Sequence, residues 1–241
     1  MQNILMEDMV AGQNFIKGEF IMSVPPFDVA SYYESKKEEK LKIFFLSEGQ
    51  KSERYFYKYL FEDESYGFIK PDGVILKEIK KLGSDEGLSN GLKLVKRAII
   101  WCNDDENHFD KNKDKVVVTF DLDTLTNEDI EELKTIREPY ILYAFSNPKF
   151  EIVQLLALME DLSLIESKYR KCSFPNKVLE NEFSSFSHAN SKTNKSGKFV
   201  ASRYVELIKH RKYDEDDISK AKDKFCTNVL NVLDYILKLN T

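Results

Sequence analysis

Three acids in this sequence stand where solvation alone is a poor account of them: Glu48, and the pair Asp121 and Asp123 in Asp121-Leu122-Asp123. Each group follows directly on an apolar run, so each is expected where a buried strand ends. The i, i+2 spacing lets both aspartates face one crevice if the second lies just past the strand, where alternation relaxes. Carboxylates crowded together raise one another's pKa and resist ionisation, whereas a divalent cation turns that repulsion into coordination. Mg²⁺ suits such a site, with Mn²⁺ able to substitute, because it takes a few carboxylates, keeps waters and accepts phosphate oxygens.

A sheet must position these acids. The run Leu41-Lys42-Ile43-Phe44-Phe45-Leu46 is nearly continuously apolar, as in a strand covered on both faces of a parallel sheet. Tyr55, Phe56, Tyr59 and Leu60 then recur at helical spacing, with Ser52 placed to cap and Glu53 complementing the dipole in the first turn. A weaker strand, Gly73 to Leu76, precedes a helix carrying Leu88, Leu92, Val95, Ile99 and Cys102 on one stripe. The β-branched run Lys115 to Phe120 is the third strand, followed by a polar helix from Asn127 to Arg137. Tyr140 to Phe145 is the fourth, and Pro148 is placed as the first residue of a helix through Glu160.

These alternations predict an α/β fold with a mostly parallel four-stranded sheet, right-handed crossovers and helices on both faces. Ligands of such sheets gather outside the carboxyl ends of the strands, where the acids fall. Residues 1–40 read as an N-terminal arm, 41–160 as the main domain, and 161–241 as a mostly helical extension without a further strand. That extension contains a Ser/Asn/Lys-rich loop over 184–197, expected to be mobile, and a final helix with Phe225, Val229, Val232 and Ile236 on one face. The acids Asp214 to Asp217 are read as complementing that helix's dipole.

The glutamate after the first strand and the Asp-x-Asp after the third resemble the Toprim domains of topoisomerases, bacterial primases and overcoming-lysogenization-defect (OLD) nucleases. Phe44-Phe45-Leu46-Ser47-Glu48-Gly49 with Lys51-Ser52-Glu53 and Tyr55-Phe56, then Phe120 to Asp123, then Ser146-Asn147-Pro148-Lys149-Phe150-Glu151, is similar to the RloB family of prokaryotic restriction and phage-defence loci. The resemblance covers roughly residues 41 to 160. It implies a Toprim-like, Rossmann-like fold and a metal-dependent endonuclease that hydrolyses DNA or RNA phosphodiester bonds in an abortive-infection type of defence. Catalysis would rest on Glu48, Asp121 and Asp123. Asp121 and Asp123 would hold Mg²⁺, Glu48 would be a general acid/base or a ligand for a second metal, and Glu151 could add a carboxylate. Ser146 and Asn147 would stabilise the loop geometry. A partner ATPase is implied too, since this chain has no GxxxxGK[ST] phosphate loop. The alternative is a non-catalytic binding or regulatory subunit of a defence complex.

Charge weighs against indiscriminate nucleic-acid binding, because the net formal charge of −5 repels a polyanion and leaves the task to a local basic surface or a metal. Candidate phosphate contacts are Lys51, Lys192, Lys195, Lys198 and Arg203, with a second basic run over Lys209, His210, Arg211 and Lys212. The bland account of both runs is a solvated surface. Cys102, Cys172 and Cys226 are too far apart for a metal knuckle and read as core residues. Trp101 reads as packing, and His108 lacks a second histidine at zinc-like spacing. No apolar run approaches a membrane span, and Glu7 and Asp8 fall where a signal core would lie, so a cytoplasmic protein is expected. The oligomeric state stays open, a homo-oligomer included.

Overall fold

Along the first strand Ile43 and Phe45 enter one buried cluster and Phe44 and Leu46 enter another, so the unbroken apolar run is a strand covered on both faces. The computed structural model describes residues 40–49, 52–62, 73–79, 90–158 and 213–239, all within one compact unit, Lys40–Thr241. Their elements run β1 (Leu41–Ser47), α1 (Ser52–Glu62), β2 (Val74–Glu78), α2 (Gly91–Cys102), β3 (Lys115–Asp121), α3 (Asn127–Thr135), β4 (Ile141–Asn147), α4 (Glu151–Leu158), α5 (Ile218–Ala221), β5 (Cys226–Thr227) and α6 (Val229–Lys238).

The sheet order is β2-β1-β3-β4-β5, parallel except for β5, which pairs antiparallel with β4. One face packs on α1, α4 and α6 through Phe56, Leu60, Ile152, Leu156, Leu233 and Ile236. The other packs on α2, α3 and α5 through Leu94, Val95, Ile130, Leu133, Ile218 and Ala221. This is the expected α/β fold, Rossmann-like in order, with helices on both faces.

Four details differ from the sequence expectation. The sheet has five strands rather than four. The fifth was illegible because two residues are too short for a periodic signal; it forms because Asn228 lends side-chain hydrogen bonds to β4, accepting the Phe145 N–H at 2.7 Å and donating to the Tyr143 carbonyl at 2.6 Å. Helix α4 begins at Glu151, not Pro148, and the Asn147–Pro148 peptide is cis. Gly73 precedes β2 as a turn residue at φ +81°, a conformation that favours glycine. Asp217 caps the short α5 through the Ser219 N–H instead of serving the final helix. Leu88, Cys172 and the loop 184–197 lie outside the described residues, as does the N-terminal arm up to residue 39.

Other expectations hold. Cys102 and Cys226 are buried, and the Trp101 ring lies 4.7 Å from Phe44 and 5.9 Å from Phe109. His108, at φ 48°, ends a short 3-10 turn, Asp105–Asn107. No helix among the described residues is long and apolar enough to cross a membrane.

Candidate functional site

Strand order reverses at β1: the chain goes from β1 outward to β2, then returns across β1 to β3. The crevice at the carboxyl ends of β1 and β3 is therefore the topological switch point, where open α/β sheets bind ligands. Glu48 directly follows β1 and Asp121 ends β3. Pairing continues one step beyond the strand, since the Glu48 N–H donates to the Thr119 carbonyl at 2.8 Å. Glu48 in turn accepts the Asp121 N–H on Oε2 at 3.1 Å, joining the two strand ends.

A third acid joins them that sequence reading took for a helix-dipole complement. Glu53, in the first turn of α1, is 5 % exposed and accepts the Gly49 N–H on Oε1 at 3.2 Å. The turn must bend tightly over this carboxylate, for a Cβ on Gly49 would stand 2.1 Å from Glu53 Oε2. One turn later the Tyr57 hydroxyl meets Thr119 Oγ1 at 3.1 Å, which holds the start of α1 over the end of β3. The clue in the sequence was the pairing of Glu48 and Glu53 across a glycine turn; the dipole explanation made it look accounted for.

From the other side, Glu151 opens α4 and is 8 % exposed. The Phe150 N–H just before it donates to Asp121 Oδ1 at 2.8 Å. Asp121 is thus surrounded by acids. Burial, then the charges of Glu53, Glu151 and Glu48, push its carboxyl well above the ordinary value, and the Phe150 hydrogen bond only partly offsets them.

Asp123 has a different setting. Its Oδ2 lies 3.3 Å from Lys149 Nζ, and its N–H donates to the Pro148 carbonyl at 3.3 Å. Burial disfavours the Lys149 charge, but Asp123, then Asp121 and Glu151, overcome this and raise the ammonium above its usual range. Lys149 lies within a motif the sequence displays, yet nothing in that motif marks it as a partner for Asp123.

The loop carrying Asp123 is fastened by the C-terminal segment. Lys222 Nζ donates to the carbonyls of Leu122 and Leu125, both at 2.6 Å. The Asn147 amide lies within hydrogen-bonding distance of the carbonyls of Ala221, Lys222 and Lys224, at 2.8, 2.8 and 2.6 Å. Ser146 Oγ pairs with Thr227 Oγ1 at 2.9 Å, and both residues are buried. Asn147 thus braces the turn after α5, whereas Ser146 ties β4 to β5. Lys222 had no sequence signal, being about 100 residues from the carbonyls it binds.

Glu48, Glu53, Asp121 and Glu151 offer the oxygen donors a hard divalent cation takes, and a cation would offset the charges that raise Asp121. Among the described residues no three His, Cys, Asp or Glu side chains converge as a group that could hold one. Lys51, Lys192, Lys195, Lys198 and Arg203, together with Lys209, His210, Arg211 and Lys212, lie outside the described residues.

A family model described as RloB-like protein matches residues 43–236, which spans the sheet, the acids and the C-terminal fastening. No curated protein and no solved structure matches the chain.

Proposed function

The chain belongs to the RloB-like family, and on that premise we propose that it is a Toprim-type, Mg²⁺-dependent nuclease acting in the cytoplasm in defence against phage. The observation that carries this reading is Asp121 held among Glu48, Glu53 and Glu151 at the β1/β3 switch point. A fold does not keep such repulsion for its own stability; a cation that the acids share accounts for it.

Bound there, Mg²⁺ or Mn²⁺ would supply Lewis-acid polarisation of the scissile phosphate and stabilise the leaving oxygen. Glu48, Glu53, Asp121 and Glu151 are the residues to hold it. Backbone N–H groups hold three of them, from Asp121 to Glu48, Gly49 to Glu53 and Phe150 to Asp121. Water would be the nucleophile: its oxygen bonds to phosphorus and gives up a proton as the bond to the leaving sugar oxygen breaks, and that oxygen takes up a proton to leave as a hydroxyl. A partner ATPase would restrain cleavage, and the substrate is DNA or RNA.

The test is metal-dependent cleavage of plasmid DNA, single strands and tRNA by the purified chain, alone and with the products of neighbouring genes. Activity lost in E48Q and D121N supports the reading; undiminished cleavage by both overturns the site. A second reading, a non-catalytic docking subunit, draws on the net charge of −5 and on the lack of a converged ligand group among the described residues. It is the outcome if calorimetric titration shows no carboxylate-dependent binding of Mg²⁺ or Mn²⁺.

A further inference from the structure

The turn that carries Asp123 is held from two sides. On one, its N–H groups donate to the chain around the end of β4: Leu122 to the Ser146 carbonyl at 2.9 Å and Asp123 to the Pro148 carbonyl at 3.3 Å. The Leu125 N–H closes the turn on the Leu122 carbonyl at 3.2 Å. On the other side stands the C-terminal segment. Lys222 Nζ donates to the carbonyls of Leu122 and Leu125, both at 2.6 Å, from 100 and 97 residues away. These two carbonyls are the ends of the turn, so one ammonium spans the stretch in which Asp123 and Thr124 lie. Lys222 is delivered there by its own surroundings. It directly follows α5, whose Ile218 and Ala221 are buried in the same apolar cluster as Leu122 and Leu125. Its backbone carbonyl accepts the Asn147 amide at 2.8 Å.

A lysine ammonium has three donors and no acceptor, so it satisfies two carbonyls at once, and its charge makes each bond stronger than a neutral donor would. The place of a carboxylate is set by the backbone that carries it, and a misplacement of about 1 Å at a reacting centre can cost about 10²-fold in rate. We propose that Lys222 is a positioning residue for phosphodiester cleavage: it touches neither substrate nor metal, and it acts by fixing the turn between β3 and α3 so that Asp121 and Asp123 keep their places. This rests on the metal-dependent reading above and adds to it a residue of the C-terminal segment that turnover requires.

The full chain is compared as wild type, K222M, K222R and K220M in two measurements: Mg²⁺-dependent turnover of whichever of plasmid DNA, single strands and tRNA the wild type cleaves, and amide hydrogen exchange, which needs no activity. K222M is expected to lower kcat by roughly 10–100-fold with KM changed by less than about twofold, since substrate contacts are left in place. K222R, which keeps the charge and the donors, is expected to recover most of the loss. K220M removes an exposed lysine of α5 that pairs with Asp217 at 3.4 Å, and it is expected to leave kcat unchanged. In K222M the Asp123 and Leu125 amides are expected to exchange roughly tenfold faster, while Val117 and Val118 in β3 keep their protection. Wild-type kcat in K222M overturns the inference and leaves the nuclease standing. A raised KM with kcat intact makes Lys222 a substrate contact and overturns it too. So does exchange that quickens equally in the turn and in β3, because Lys222 would then hold the fold as a whole. Should K222M fail to fold, K222Q, which keeps a donor at shorter reach, decides: wild-type kcat and amide protection overturn the inference, and a fall in both supports it. Wild type that cleaves none of the substrates overturns the metal-dependent reading, and the inference with it.

Discussion

Strand β3 is flanked by an aspartate at either end, and the two have opposite surroundings. Asp114, just before the strand, is 1 % exposed and both of its oxygens are engaged. Oδ1 accepts the Lys42 N–H at 3.0 Å, Oδ2 accepts the Asp110 N–H at 3.1 Å, and Lys42 Nζ lies 3.6 Å from Oδ2. Asp121, at the other end, has the Phe150 N–H and three glutamates that raise its pKa. An acid ringed by donors stabilises the fold and calls for nothing more. An acid among acids is disfavoured in its charged form and takes up a proton more readily or, on the proposal above, shares a cation. On the proposed function the carboxyl ends of the strands are the functional ends, and the Asp114 contacts make the amino end of β3 structural.

The comparison breaks most sharply under substitution of these two residues. D121N is expected to reduce metal-dependent cleavage by roughly 10²–10³-fold, the scale of losing one electrostatic element of an active site, with urea unfolding in the absence of metal scarcely weakened. D114A is expected to do the reverse, costing about 3 kcal/mol of unfolding free energy by stripping buried donors of their acceptor, while cleavage per folded molecule is unchanged. If D114A unfolds at the wild-type urea concentration, the structural half of the contrast is wrong.

Cation binding sharpens the same point. Mn²⁺ at a hundredfold excess over its dissociation constant should add about 2.7 kcal/mol of stability, visible as a rise in Tm that chelator reverses. D121N should show almost none of that rise, and D114A the full amount.

A smaller effect is expected where the C-terminal segment grips the functional end. N147A removes the amide that reaches three carbonyls and should cost about 1–2 kcal/mol, measured by urea unfolding. Its cleavage should fall too, because Asn147 holds the backbone of Lys222, whose ammonium grips the Leu122 and Leu125 carbonyls of the Asp123 loop; full activity with lost stability would make the grip purely structural.

The smallest effect belongs to a satisfied acid on α3. Thr126 and Asp129 form a capping box, with the Asp129 N–H on Thr126 Oγ1 at 3.1 Å and the Thr126 N–H on Asp129 Oδ2 at 2.9 Å. T126A should cost about 1 kcal/mol. The Thr126 N–H first of all holds the Asp129 carboxyl below its ordinary value. Its contribution is therefore present above the usual aspartate pKa and lost as pH falls through the lowered one. D129N should flatten that part of the acid stability profile, opposite in sign to what the raised Asp121 contributes.

Much of this was legible before any coordinates. Burial on two faces forces a strand to be apolar at every position, so Ile43 to Leu46 and Val116 to Phe120 announced themselves, and the acids that ended them announced the site. Helical spacing did the same for α1 and α2. The signal failed where it was short or shared. Two-residue β5 has no period to detect, and Glu53 serves a helix terminus and a carboxylate cluster with one side chain, so the local reason hid the distant one.

The sequence by itself determined β1 to β4 and the helices that follow them, and that Glu48 and Asp121 stand at strand ends, because those properties follow from hydrophobic period and from neighbours a few residues away. Tertiary structure alone decided the order β2-β1-β3-β4-β5 that brings the two ends together. It also decided that Glu53 and Glu151 close on Asp121, that Asp123 pairs with Lys149, and that Lys222 and Asn147 fasten the loop. Those outcomes depend on the charges and donors that other elements deliver to one point, and electrostatic energy is set by distance in space, not by separation along the chain.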